Sequence, residues 1–101
     1  MPKIFEYIGF IFYFYSNDHD PIHCHVKKGD KEMRVTLYFE QYTLTDVYIV
    51  KAHRHTPSLT REEREKIKKF VEVYYPHILD KWETFRAGKK IRPVKISREV
   101  K

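Results

Sequence analysis

Cysteine is nearly absent from this chain. Cys24 stands alone among 101 residues, which excludes an internal disulfide and a zinc site built only on cysteines. A reducing, cytoplasmic setting is the expectation. Glycine is scarce as well: Gly9, Gly29 and Gly88 are scattered singly, so no glycine-rich phosphate cradle can form. No serine sits in a recognisable nucleophile elbow. Long hydrophobic runs are missing. The longest uncharged stretch, residues 7–17, is about 11 residues, too short to span a bilayer, and no membrane partner is expected. Lys3 and Glu6 flank a short start with no small-residue cleavage site, so no secretory leader is expected either.

Aromatic residues, by contrast, are plentiful. Eight Tyr, seven Phe and one Trp make up 16% of the chain, a large apolar contribution for a domain that can hold one modest core. The length suits a single domain. Net charge is +6, and its location matters more than its size. Residues 86–101 carry seven Lys/Arg and one Glu, while residues 1–85 balance at 13 basic and 13 acidic. The chain thus divides into a domain over 1–87 and a basic C-terminal extension over 88–101. Such a tail either meets a polyanion such as nucleic acid or is simply solvated. Lys27, Lys28, Lys89, Lys90, Arg92 and Lys95 are the candidate polyanion contacts.

Apolar periodicity sets the expected elements. Residues 4–15 read as two strands meeting at Gly9. The second is apolar on both pleat faces, as in a central strand covered on both sides. Gly29-Asp30 lies between two strand-like runs and predicts a hairpin. In the second of these runs Met33, Val35, Leu37 and Phe39 alternate with Arg34, Thr36 and Tyr38, the pattern of a half-buried strand. Residues 43–52 are a further strand candidate. Thr60 and Glu63 form a capping box. After it Ile67, Phe70, Val71, Tyr74, Ile78, Leu79, Trp82 and Phe85 keep helical spacing. Pro76 interrupts that stripe and predicts a kink more than a break, and Gly88 is the expected C-terminal cap. Residues 91–96 either add a short edge strand or stay extended. The expected class is α+β: an antiparallel sheet of four to five strands with one long C-terminal helix, kinked near Pro76, packed on one face.

Chemistry concentrates in the stretch "NDHDPIHCHVKKG", residues 17–29. On a strand, His23 and His25 point to one face, about 7 Å apart, and Cys24 points the other way into the core. His19, Asp18 or Asp20 could add a third ligand from the turn, giving an open site for a divalent metal such as zinc. The alternative is that these imidazoles hydrogen-bond the turn and stack on tyrosines. A second cluster, His53-Arg54-His55, repeats the spacing in a loop. If it met His25, histidine as acid or base and arginine as charge stabiliser could form a metal-independent phosphodiester site. Nothing local requires the meeting, and solvent exposure is the expectation for His53 and His55. The aromatic strand could be a stacking platform for single-stranded nucleic acid, but in so short a chain those rings are expected to be core.

The residues Met1, Pro2, Ile4, Phe12, the run Tyr15-Ser16-Asn17-Asp18-His19, then Pro21, His23, His25, Val26, Lys27 and Gly29 form a pattern. With Trp82 on the helix, it resembles the small bacterial family called domain of unknown function 4160, over roughly residues 1–87. The family has no established activity. Its members are often encoded beside another small family, in pairs that look like toxin–antitoxin modules. The resemblance therefore implies a cytoplasmic protein with a protein partner encoded next to it, with nucleic acid as target or operator, and self-association is compatible with it. His19, His23 and His25 fall on the family's motif. The leading expectation is a non-catalytic binding component of such a pair. The alternative is a nuclease-type hydrolase, His-based or metal-dependent, with His19, His23 and His25 as candidate catalytic residues. A third reading is a purely structural interaction domain.

Overall fold

The computed structural model describes residues 2–15 and 21–101. In chain order the elements are β1 (Lys3–Tyr7), β2 (Phe10–Tyr13), β3 (Ile22–Lys28), β4 (Lys31–Glu40), β5 (Thr43–Lys51), α1 (Arg61–Arg86) and β6 (Val94–Ile96). Among the described residues they form one six-stranded sheet in the order β5-β4-β3-β2-β1-β6 and a single long helix. This is the expected α+β class with six strands in place of four to five.

The additional strand comes from the basic tail. β6 pairs parallel with β1 at the sheet edge, and among the described residues every other strand pair is antiparallel. Pro93 just before it is tolerated because an edge strand has one side without ladder bonds. The Val100 N–H donates to the Tyr7 hydroxyl (2.8 Å), and Lys66 pairs with Glu99 (3.4 Å). Residues 88–101 are therefore joined to the domain through β1 and the helix.

Two-residue hairpin turns need positive φ at their centre, which glycine supplies without strain. Gly29 (φ 61°) does so between β3 and β4. The β4–β5 turn has no glycine, and Gln41 (50°) and Tyr42 (70°) are held there instead. Between β1 and β2, β-branched Ile8 sits at 37° beside Gly9 at 90°, a strained choice for such a residue.

The core lies between the helix and one sheet face. Phe5, Tyr7, Phe10, Phe12, Cys24, Val26, Val35 and Leu37 meet Ile67, Phe70, Val71, Ile78 and Trp82, all nearly or fully buried. Phe70 is the hub. Its ring centroid lies 4.2 Å from Tyr7, 5.0 Å from Phe12, 5.4 Å from Phe5 and 4.7 Å from Tyr74. The rings of β2 that could have formed a stacking platform, Phe10 and Phe12, are thus core, as is Phe14 beyond them. Coverage of β2 is one-sided at Ile11, which is exposed on the other face.

Helix α1 opens with the expected capping box. The Glu63 N–H donates to Thr60 Oγ1 (3.2 Å), and Thr60 N–H donates to Glu63 Oε1 (2.8 Å). Lys28 and Lys31, on either side of the β3–β4 turn, reach the same carboxylate at 3.2 and 3.1 Å. The Thr60 N–H and these two cations hold the Glu63 carboxyl down at about 2 against the opposing effect of burial. The helix then runs unbroken through exposed Pro76 to Arg86. Among the described residues no helix is long and apolar enough to cross a membrane.

Removing the hub ring should be costly. Phe70→Ala is expected to destabilise the fold by about 3–5 kcal/mol, against about 1 kcal/mol for Thr60→Ala at the helix cap. Urea unfolding of both variants checks the ranking.

Candidate functional site

Residues paired across a sheet share a face. On the face away from the helix, one row therefore holds Lys95, Glu6, Ile11, Lys27 and Glu32. The next holds Tyr13, His25, Arg34 and Val50, and a third holds His23, Thr36 and Tyr48. Most of this face is open. Three members are not: His25, Tyr13 and Glu32 are 3%, 7% and 8% exposed.

The cover comes from both sides in sequence. Tyr15, just past β2, lays its ring 3.7 Å from that of His25. His53 arrives from the β5–α1 loop, which the Glu32 N–H anchors by donating to the Pro57 carbonyl (3.1 Å). Beneath them the Glu32 carboxylate is surrounded by donors. Tyr13 OH donates to Oε1 (2.7 Å) and Tyr15 OH to Oε2 (3.0 Å). His53 Nε2 lies 3.1 Å from Oε2 and 3.1 Å from the Tyr15 hydroxyl, and His25 Nδ1 lies 3.6 Å from Oε2.

A carboxylate out of water is unfavourable unless donors replace its hydration. Burial here raises the affinity of Glu32 for a proton. The two phenols, then the charges of His53 and His25, outweigh that and hold the carboxyl below its usual range. Tyr13 responds in the opposite sense: burial, then the adjacent carboxylate, push its phenol far up, so it stays a donor. The result is a fixed negative charge under two tyrosines, with one imidazole, His53, half exposed above it.

The expected site residues scatter around this centre. His19 and Asp18, with Asp20, lie outside the described residues. His23 and His25 share a face as expected, with ring centroids 6.1 Å apart, but they turn to different partners. His23 Nδ1 is 2.9 Å from the Pro21 carbonyl, whereas His25 Nδ1 faces Glu32. Among the described residues no group of three His, Cys, Asp or Glu side chains is placed to hold a metal ion. Cys24 is buried on the helix side. The two histidine clusters do meet, through His25 and His53 on Glu32, while Arg54 and His55 stay exposed in the loop.

The candidate polyanion contacts do not form one patch. Lys27 and Lys95 share a row on the open face, but Lys28 points to the other side, over the Phe10 ring (4.9 Å) and onto Glu63. Lys89, Lys90 and Arg92 lie exposed between the helix and β6. The expected stacking of imidazoles on tyrosines is present, His25 lying against Tyr13 and Tyr15, but the sequence does not single out these two rings or Glu32. The pleat of β2 could have placed both tyrosines beside the histidines. Glu32 gave no local signal, because its partners are 17 and 19 residues away.

These observations define an α+β domain with a buried carboxylate–tyrosine–histidine cluster on the helix-free sheet face. The family described as Domain of unknown function (DUF4160) matches residues 9–83, and the chain belongs to that family. The matched span contains all five members of the cluster and ends before the tail strand. No curated protein and no solved structure matches the chain.

Because the folded Glu32 carboxyl binds protons less readily than its ordinary value of 4.5, the unfolded chain takes up more protons as pH falls. Glu32 thus contributes stability above about pH 4.5 that is lost as pH drops through its folded value. Glu63 titrates in the same direction. Glu32→Gln is expected to lower stability at pH 7 by about 1–3 kcal/mol and to flatten, without abolishing, the fall below pH 4.5. Urea unfolding between pH 7 and 3 measures both effects.

Proposed function

We propose that the protein is a binding module, one component of a toxin–antitoxin-like two-gene pair, and that it docks its protein partner on the helix-free face. The observation that carries this reading is the exposure of Ile11, Tyr38, Tyr48 and Val50, at 38%, 42%, 55% and 41%, on that one face. Tyr38 and Tyr48 meet edge to face at 5.6 Å, with Arg34 nearby on β4. Exposed rings with an arginine among them are the composition of energetically dominant contact residues. On the helix side of the sheet, Ile22, Leu37, Phe39, Leu79 and Tyr42 line a cleft of about 510 Å³ whose rim reaches Tyr38; it borders the docking face and is not part of it. Lys27 and Lys95 add positive charge along the first row of the face, which supports nucleic acid as a further contact.

The test is co-expression with the protein encoded next to it, followed by co-purification and growth measurement. Tyr38→Ala combined with Tyr48→Ala is expected to weaken the complex by about 30-fold or more. Co-purification that is absent for the natural chain, or unchanged in the double variant, overturns the reading. Nucleic-acid contact predicts a gel shift that fades with salt; no shift at low salt removes that part.

A further inference from the structure

Partner docking needs no buried charge. An apolar residue at position 32 would cover the same sheet face without the desolvation that a carboxylate incurs. What Glu32 does achieve is to hold His53. The Nε2 atom of His53 is 3.1 Å from Glu32 Oε2, while the side chain remains half exposed. A carboxylate at one ring nitrogen favours the tautomer with the proton on that nitrogen. The lone pair is left on the other nitrogen. Nδ1 of His53 has no hydrogen-bond partner among the described residues.

Three cations neighbour this pair in the sheet register or along the chain. Lys27 is directly opposite Glu32, Arg34 is the next residue on the same face of β4, and Arg54 follows His53. All three are exposed, and none makes an ion pair among the described residues. Lys28, Lys31 and Lys66, by contrast, are paired with carboxylates. A held base beside uncommitted cations fits an anionic substrate that gives up a proton as it reacts. RNA has both features, a phosphodiester charge and a neighbouring 2′-hydroxyl.

We propose that the Glu32–His53 pair is a metal-independent acid–base centre for RNA phosphodiesters, with Arg34 and Arg54 receiving the phosphate. His53 Nδ1 takes the proton of the 2′-hydroxyl, O2′ bonds to the adjacent phosphorus, and the P–O5′ bond breaks. The departing O5′ takes a proton from water, and His53 returns its own to solvent. The products are a 2′,3′-cyclic phosphate and a 5′-hydroxyl. His53 is the catalytic residue and Glu32 a positioning residue. This activity goes beyond the docking role, which stands or falls on its own test, and it uses residues other than the His19, His23 and His25 set.

The full chain is incubated in EDTA with a DNA oligonucleotide containing a single ribonucleotide, and with an all-DNA control. Cleavage is expected only beside the ribonucleotide and with a cyclic phosphate end. His53→Ala should slow it by about 100-fold or more, while His55→Ala leaves it unchanged. Glu32→Gln should slow it by about 10-fold, through kcat with KM unchanged, a split that loss of packing would not produce. Arg34→Ala should raise KM more than it lowers kcat. His53 is half exposed, so its variant keeps the test decisive even if Glu32→Gln folds poorly. No cleavage by the natural chain, equal cleavage by His53→Ala, or loss of cleavage in EDTA overturns the proposal.

Discussion

One helix can cover only one face of a six-stranded sheet. That constraint arranges the rest of the molecule. The helix takes the face where Phe5, Tyr7, Phe10 and Phe12 converge on Phe70, and burial of those rings is the main source of cohesion. The other face must be stabilised without a second layer. It does so locally, by folding Tyr15 and the loop carrying His53 back over the sheet, and elsewhere it stays open to solvent.

The covered patch is organised by charge rather than by apolar contact. Glu32 is stable as an anion because two phenols and two imidazoles converge on it. Such a network is all-or-none in character: with one donor missing, the remaining charge is buried and under-satisfied. The same carboxylate fastens three separated pieces of chain, the end of β2, the start of β4 and the loop before the helix. A polar centre thus does on one face what Phe70 does on the other.

Much of this was legible in the sequence, for local reasons. The capping box at Thr60 and Glu63, the Gly29-Asp30 turn and the alternation of Met33, Val35 and Leu37 each depend on neighbours within a few residues, and each appears in the structure. The opposing directions of Cys24 and the histidines followed from the pleat alone. Less was legible where distant segments meet. Glu32 carries no signal of its own in the sequence, and His53 is expected only as an exposed loop residue. Their meeting depends on how the loop returns over the sheet, which no periodicity records. Residues 94–96, just after a proline, carry too little pattern to separate an edge strand from extended chain.

The parallel pairing of β6 with β1 also bears on how the protein is made. Residue 7 and residue 100 are joined by a hydrogen bond across a sequence separation of 93. At ribosomal speeds, synthesis of the intervening chain takes on the order of ten seconds. Throughout that interval β1 can pair with β2 on one side, while its outer ladder groups wait for a strand not yet translated. The sheet is therefore closed last at the edge that was made first, and until then that edge is the one most open to a foreign strand.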